Sequence, residues 1–212
     1  MAVRRNYCMN PSFEANTTSW GTSATFAGSR TLTKTDGVFV YGSSSARWQM
    51  TGGVGDSAKA VGYAYITSTA SFEAGDAARA SLYIKGTVSG CTLSFLLLTK
   101  TSAGATLDTA TVNITLTTEW QRVSVLIASA RANTSYAQLI LRTHSDLDAG
   151  DTVDAYIDGV LIEKSADLGD YFDGSTPGGH WSDVANASAS DYLGRFYRRM
   201  WNGKSVCYRM GG

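Results

Sequence analysis

Acidic side chains are the most abundant reactive groups in this sequence, and they concentrate toward its C-terminal half. Ten of the 18 aspartates and glutamates lie between Asp146 and Asp183. Within that stretch Asp167, Asp170 and Asp173 could line a groove, and a glycosidase needs only two carboxyl groups at a set separation. Turn-forming residues surround all three, so we interpret them as polar turn residues.

Other catalytic signatures are sparse. The sequence has two histidines, His144 and His180, which is little material for a zinc site or a histidine-based triad. None of the motifs GxSxG, GxxxxGK[ST] and HExxH occurs. We therefore predict that the protein is not an enzyme.

Sugar recognition needs an aromatic platform and planar hydrogen-bonding side chains, and the sequence offers one such set. Tyr83, Gln138 and Arg142 have outward parity in the alternating segments ARASLYIKG and YAQLILRT. They predict a glycan-binding face, and an ordinary solvated surface is the alternative interpretation.

The C-terminal end differs in charge from the rest of the chain. Up to Asp191 there are 13 lysines and arginines against 18 acids, a net charge of −5, whereas the last 21 residues carry five basic residues and no acid. Aromatic residues alternate with these basic ones, a composition typical of protein interfaces. We predict a partner-docking segment; single-stranded nucleic-acid binding and a loose terminus are the alternatives. The predicted docking residues are Tyr192, Phe196, Arg198, Arg199, Trp201 and Tyr208.

Most of the chain alternates apolar and polar residues with the period of two that is typical of β-strands. Nine segments separated by glycine- and aspartate-rich turns predict an all-β protein, an antiparallel jelly-roll β-sandwich with an extended C-terminal tail. The candidate strands are Thr31–Tyr41, Ser44–Thr51, Gly62–Thr67, Arg79–Gly86, Cys91–Lys100, Asp108–Leu116, Gln121–Ala128, Tyr136–Thr143 and Val153–Glu163. The SFLLLT run does not alternate, so its strand is expected to be covered on both faces.

Three segments are predicted: the sandwich over residues 1–165, an extended Gly/Asp-rich segment over 166–188, and the docking tail over 189–212. The middle segment cannot bury much of itself, so its aromatic side chains must dock on the sandwich or on a neighbouring chain. After Ser188 the apolar spacing predicts a short helix capped by Ser190.

Two further predictions concern the environment of the chain. Three widely spaced cysteines fit no metal or redox spacing, and we expect free thiols in a protein assembled in a reducing cytoplasm. No apolar run approaches the ~18 residues that span a bilayer, so no membrane contact is expected.

Several segments in order resemble the carbohydrate-binding modules of the family 4/9/22 type. They are NPSFE followed by Trp20, SSSARWQM, FEAGD with ARASLYIKG, EWQRVSV, and YIDGVLIEK. The resemblance covers roughly residues 6–165 and implies a galactose-binding-like jelly roll. In that family a structural Ca²⁺ is often held by the acid of the FE motif and the aspartate of the YID motif. The resemblance thus implies calcium at Glu14 and Asp158, with backbone carbonyls or Asn10 completing the shell.

The continuation YFDGSTPGGHW, followed by ASAS, is similar to the end of minor tail and other virion-associated proteins of tailed bacteriophages. The start, MAVRRNYCMNPSFE, resembles the same class. The resemblance implies a phage virion structural protein, a minor tail or capsid-decoration component that is anchored through its C-terminal tail. Its partners would be other phage structural proteins and further copies of itself. A glycan-binding adhesin module for host attachment is the alternative.

Overall fold

The structure of the protein is a computed structural model that describes residues 4–23, 28–53, 63–67, 72–143, 149–193, 196–201 and 204–209. For residues 63–67, 196–201 and 204–209 it describes the course of the backbone. These residues form β-strands and no helix, so none of them belongs to a helix long and apolar enough to cross a membrane. The strands are β1 (Arg4–Asn6), β2 (Gly21–Ser23), β3 (Ser29–Asp36), β4 (Ser44–Thr51), β5 (Tyr63–Thr67), β6 (Ala78–Gly86), β7 (Thr92–Lys100), β8 (Thr106–Thr115), β9 (Gln121–Ile127), β10 (Tyr136–Thr143), β11 (Thr152–Glu163), β12 (Gly179–Trp181), β13 (Ser190–Tyr192), β14 (Phe196–Trp201) and β15 (Lys204–Arg209).

Two five-stranded antiparallel sheets form the sandwich. The first sheet has the order β3-β4-β11-β6-β9, and the second has the order β2-β5-β10-β7-β8. The predicted all-β sandwich is therefore confirmed, and all nine predicted strands are present. The first of them is displaced: it spans Ser29–Asp36, and residues 37–43 form a loop to β4 instead of continuing the strand.

Alternation along each strand decides which side chains fill the space between the sheets. Leu82 and Ile84 of β6 face Leu139 and Leu141 of β10 within one continuous core, and all four are fully buried. Burying a side chain of this size stabilises the fold by about 1.5–3 kcal/mol relative to leaving it exposed. Strand β7 is buried on both faces, as its unbroken apolar run predicts.

Strand β11 contains a bulge that changes which residues face the core. Its register against β6 shifts between Asp158 and Leu161, and Gly159 has a φ of 55° there. A Cβ on Gly159 would lie 2.9 Å from a ring carbon of Tyr41, so the close ring and the positive φ both favour glycine. Val160 points into the core, whereas Leu161 packs on the outside of the first sheet.

Residues 164–193, which we call the extension, return across the outside of the first sheet. The N-terminal strand β1 pairs with β13, which also pairs with β12, so the extension closes a small third sheet with the start of the chain. The helix predicted after Ser188 is wrong, because Ser190–Tyr192 and Phe196–Trp201 are strands. The open backbone edge of β1 is a pairing partner that a local apolar pattern cannot reveal. Strands β14 and β15 form a separate antiparallel hairpin.

Candidate functional site

The outward side of strands β8, β7 and β10 presents a polar surface that we call the open face. Three rows of paired residues cross it: Arg142–Ser94–Asn113, Ile140–Leu96–Thr111 and Gln138–Leu98–Thr109. The side chains on the middle strand are buried, those on β10 are half-buried and those on β8 are exposed. The open face thus has a closed floor and accessible polar flanks.

Gln138 and Arg142 place two planar hydrogen-bonding groups on this surface. They are four residues apart on β10, which is about 13 Å along the strand. In the part of the chain that the structure describes, neither side chain has a hydrogen bond or an ion pair, although both are half-buried. Neither side chain has a fully buried polar atom without a partner, so the donor groups of both reach solvent and can bind water or a ligand.

Other side chains of the open face were not predicted from the sequence. Tyr136 is half-buried at the end of β10, opposite Lys100, and Asn113 and Thr111 lie on β8. Ser94 donates a hydrogen bond to Asn113 Oδ1 at 3.1 Å. The alternation of TLDTATVNIT contained the signal for the β8 residues, but nothing local indicated that β8 lies two strands from β10.

Tyr83 does not belong to this surface. It lies on β6 in the first sheet, whereas Gln138 and Arg142 lie on β10 in the second, so the expectation that the three share one face is wrong. The Tyr83 hydroxyl lies 3.2 Å from that of Tyr41, and the guanidinium of Arg122 lies over its ring. Parity predicted correctly that Tyr83 faces outward, but that side of the sheet is where the extension packs.

The extension is fixed to the first sheet by aromatic and polar contacts. The ring centroids of Tyr171 and Tyr41 are 4.4 Å apart, and Phe172 is buried beneath the guanidinium of Arg4. Arg122 donates a hydrogen bond to the carbonyl of Gly169 at 2.6 Å. The aromatic residues at the start of the extension therefore dock on the sandwich of their own chain.

The YFDGSTPGGHW motif folds as a compact turn around one carboxylate. Asp173 Oδ1 accepts hydrogen bonds from the amides of Ser175 and Thr176, and Oδ2 accepts one from the Tyr171 hydroxyl. Asp173 is buried by these contacts, whereas Asp167 and Asp170 are exposed. The three aspartates therefore differ in environment, and Asp173 acts as a turn residue.

Glu14 and Asp158 are brought to the same loop, residues 37–43 and the start of β4. Asp158 Oδ2 accepts hydrogen bonds from the amides of Val40 at 2.7 Å and Tyr41 at 2.9 Å, and its Oδ1 accepts one from Gly159 at 2.6 Å. Glu14 Oε1 accepts hydrogen bonds from the Ser43 and Ser44 amides, and Oε2 accepts one from the Ser43 hydroxyl. We call this pair of carboxylates and the loop they bind the carboxylate latch.

Both oxygens of each latch carboxylate accept hydrogen bonds from N–H or O–H donors. Calcium takes six to eight oxygen ligands, whereas the groups that face these two carboxylates are N–H and O–H donors. Asn10 Oδ1 is buried without a hydrogen-bond partner and is one oxygen that could serve a cation. Among the described residues, however, no group of three or more His, Cys, Asp or Glu is placed to hold a metal. Calcium at Glu14 and Asp158 stays a prediction from the resemblance.

A cleft of about 400 Å³ lies beside β1 and includes Arg4, Arg5 and Lys164. Each of these cations already has a carboxylate neighbour: Glu163 at 2.8 Å from Arg4, Asp191 at 3.7 Å from Arg5, and Asp76 at 2.8 Å from Lys164. Arg4 donates two hydrogen bonds to the Glu163 carboxylate and a third to the Asp170 carbonyl. The charges of this cleft are therefore compensated within the chain, although Arg5 Nε is buried without a hydrogen-bond partner.

The predicted docking residues are distributed over two environments. Tyr192, on β13, stacks on Phe172 with ring centroids 5.3 Å apart, so it packs within its own chain. The backbone at Phe196, Arg198, Arg199, Trp201 and Tyr208 belongs to the β14–β15 hairpin, and their side chains lie outside the described residues. Docking by these residues stays a prediction.

No family model matches the chain, and no curated protein does. Solved structures do match it. The xylan-binding CBM22-1 domain of Paenibacillus barcinonensis Xyn10C aligns with 74% of this chain and 94% of its own, at 19% identity and a TM-score of 0.51. The family 61 module TmCBM61, in complex with β-1,4-galactotriose, aligns with 76% of this chain and 99% of its own, at 16% identity and a TM-score of 0.52.

The chain shares the jelly-roll fold of these modules. The resemblance carried by NPSFE and YIDGVLIEK is confirmed at the level of the fold. The same jelly roll aligns with a domain of bacteriophage CBA120 tailspike protein 4, described as enzymatically active, at 16% identity and a TM-score of 0.58. That alignment covers 74% of this chain but 21% of the tailspike chain, so this protein spans about a fifth of the tailspike.

Proposed function

We propose that this protein binds glycans on the open face of its second sheet. The observation that carries the proposal is the pair Gln138 and Arg142, half-buried on β10 with no hydrogen bond or ion pair within the described residues. Sugars present closely spaced hydroxyls, and planar amide and guanidinium groups bind such hydroxyls in a fixed orientation.

The remaining composition of the open face suits the same ligand. Tyr136 supplies an aromatic ring with a polar tip, and Thr109, Thr111 and Asn113 supply accessible hydroxyl and amide groups. The extension covers part of the outside of the first sheet, whereas the described residues of β8 that flank the open face are exposed. Similar folds support the proposal, since one is named as xylan-binding and another was solved with a bound galactotriose.

The test is a glycan array probed with the full chain and two variants. The double substitution Gln138→Ala and Arg142→Ala is expected to reduce binding at least about tenfold, because each lost hydrogen bond to a ligand contributes about 0.5–1.5 kcal/mol, or more if charged. Arg30→Ala, which removes an exposed arginine from β3 of the other sheet, is the matched control and should bind as the wild type does. A blank array with the wild type would contradict the proposal.

We further propose that the protein acts as part of a phage particle, as a minor tail or capsid-surface component. Two observations favour this setting: the fold aligns with a phage tailspike domain, and the chain ends in a separate hairpin whose sequence is basic and aromatic. In this setting the open face would contact host-surface sugars while the hairpin anchors the protein. A cryo-EM map of the intact particle tests the location, and a particle without density for this sandwich would contradict it.

The proposal treats the protein as a binding protein and not as an enzyme. A glycosidase would need two carboxyl groups facing one sugar. Of the three aspartates that could have lined a groove, Asp173 instead holds the turn of the extension. The test measures the release of sugar from any glycan that the array identifies. Hydrolysis of such a glycan would contradict this part of the proposal.

A further inference from the structure

The open face differs in charge from the chain around it, and this bears on the class of glycan; the inference rests on the proposed function. Up to Asp191 the chain carries 13 basic and 18 acidic residues. The outward positions of β7, β8 and β10 that cross the open face nevertheless include Lys100 and Arg142 and, among the described residues, no aspartate or glutamate.

Of these two cations, Arg142 indicates more clearly what charge the ligand carries. Lys100 is near the carbonyl of Gly104, with Nζ 3.5 Å from the oxygen, and lies at the end of its strand. Arg142 is half-buried and lies opposite Ser94, in the row that ends at Asn113. Arg142 has no ion pair among the described residues, and an anionic acceptor would supply its counter-charge through charge-assisted hydrogen bonds, which are about twice as strong as neutral ones.

The shape of the Arg142 guanidinium indicates which kind of anion it would bind. Guanidinium donors are arranged as a fork that matches the two oxygens of a carboxylate or a phosphate. Asn113, at the far end of the same row, and Gln138, two rows away, offer amide groups that suit the hydroxyls of the same polymer. A neutral polysaccharide would use the amides but would leave the charge of Arg142 uncompensated.

We propose that the ligand of the open face is an acidic polysaccharide, with its carboxylate or phosphodiester bound by Arg142 and its hydroxyls by Gln138 and Asn113. Both anions share the required chemistry of two oxygens carrying one negative charge. The body of the protein repels such polymers weakly and the open face attracts them, so the charge difference also favours one orientation of binding.

The experiment measures binding of the full chain to three polymers: polygalacturonate, a poly(glycerol phosphate) and neutral xylan. At low salt the better acidic polymer should bind at least about tenfold more tightly than xylan, and about 0.3 M salt should remove most of that difference. Comparing the two acidic polymers distinguishes a carboxylate ligand from a phosphodiester ligand.

Three variants attribute the preference to Arg142. Arg142→Gln should lose the preference for the acidic polymer and keep xylan binding within a few-fold, whereas Arg142→Lys, which keeps the charge without the fork, should lose part of it. Arg30→Gln removes an exposed arginine from the other sheet and should behave as the wild type. Thermal unfolding of each variant checks that the fold is intact.

The failures of the two proposals are distinguishable. Equal affinity for xylan and the acidic polymers, lowered for both by Gln138→Ala, would overturn the acidic ligand and leave glycan binding in place. Acidic-polymer binding that survives Arg142→Gln unchanged would overturn the role of Arg142. Binding to none of these polymers, together with a blank glycan array, would overturn both.

Discussion

Asp158 is a buried carboxylate, and burial disfavours its charged form. Burial is the largest influence and raises its pKa to about 7, although hydrogen bonds from the amides of Tyr41, Val40 and Gly159 act in the other direction. The nearby charge of Glu14 adds to the rise. The latch therefore concentrates negative charge at the loop before β4, and backbone N–H groups compensate for it.

The raised pKa of Asp158 predicts a loss of stability as the pH increases. The folded protein holds this proton more tightly than the unfolded chain, where the pKa is about 3.9. Between the unfolded pKa of about 3.9 and the folded pKa of about 7, the folded state binds more protons than the unfolded state. The free energy of unfolding therefore falls as the pH rises through this range. We expect a fall of at least about 1 kcal/mol between pH 5 and pH 8, measured by urea unfolding.

Asp158→Asn is expected to show a smaller fall over the same interval, because its side chain does not titrate. Asp170→Asn, which removes an exposed acid, is the control and should keep the wild-type pH dependence. The same titration tests the calcium prediction. If calcium raises the free energy of unfolding and EDTA lowers it, with both effects lost in Asp158→Asn, the latch holds an ion despite its N–H donors.

At the level of elements, the extension packs as a second layer on the first sheet. Leu161, Tyr171 and Phe172 form a small apolar cluster there, separate from the core between the sheets. Asn6 connects it to the N-terminal strand: its side-chain nitrogen donates to the Val160 carbonyl at 2.8 Å, and its side-chain oxygen accepts from the Ile162 amide at 3.0 Å. Asn6 therefore links the N-terminal strand to β11 on either side of Leu161.

Tyr171→Ala is expected to lower the free energy of unfolding by about 3–5 kcal/mol, the usual cost of removing a buried aromatic ring. The ring contacts Tyr41, and its hydroxyl satisfies Asp173, so the substitution leaves both a cavity and an unpaired buried carboxylate oxygen.

Tyr136→Ala, on the open face, is the matched control and should change stability by less than about 1 kcal/mol. Equal losses for the two substitutions in chemical denaturation would mean that the extension does not stabilise the sandwich.

The elements also show where sequence patterns stop being informative. Alternation predicted nine strands because each is long enough for its period to be visible and each buries one face against the core. Strands β1, β12 and β13 have three residues each, too few for a period, and β1 pairs with residues more than 180 positions away. Alternation places both Tyr83 and Gln138 on the outward side of a strand, but it does not specify to which sheet the strand belongs. Only the strand order shows that Tyr83 is covered by the extension and that Gln138 lies on the open face.

Across the whole molecule, the two outer surfaces of the sandwich differ in how the chain covers them. The chain covers part of the first sheet with its own extension, whereas the polar flanks of the open face on β8 and β10 are exposed or half-buried. The C-terminal hairpin pairs with neither sheet in the described part of the chain. The proposed ligand surface and the proposed anchor therefore belong to different sheets, which is what the proposed particle component requires.

Deletion of residues 194–212 is expected to leave the sandwich as stable as before, within about 1 kcal/mol, because a two-stranded hairpin alone is marginally stable and adds little to the core. The deletion should nevertheless abolish incorporation into particles, as measured by mass spectrometry of purified virions, because it removes all five basic residues that follow Asp191. Replacing Arg198, Arg199, Lys204 and Arg209 with glutamine is the matched variant, since it keeps the length and removes most of the charge. Normal incorporation of the deleted protein would contradict anchoring by the hairpin. Loss upon deletion but not upon charge removal would assign the anchor to the aromatic residues.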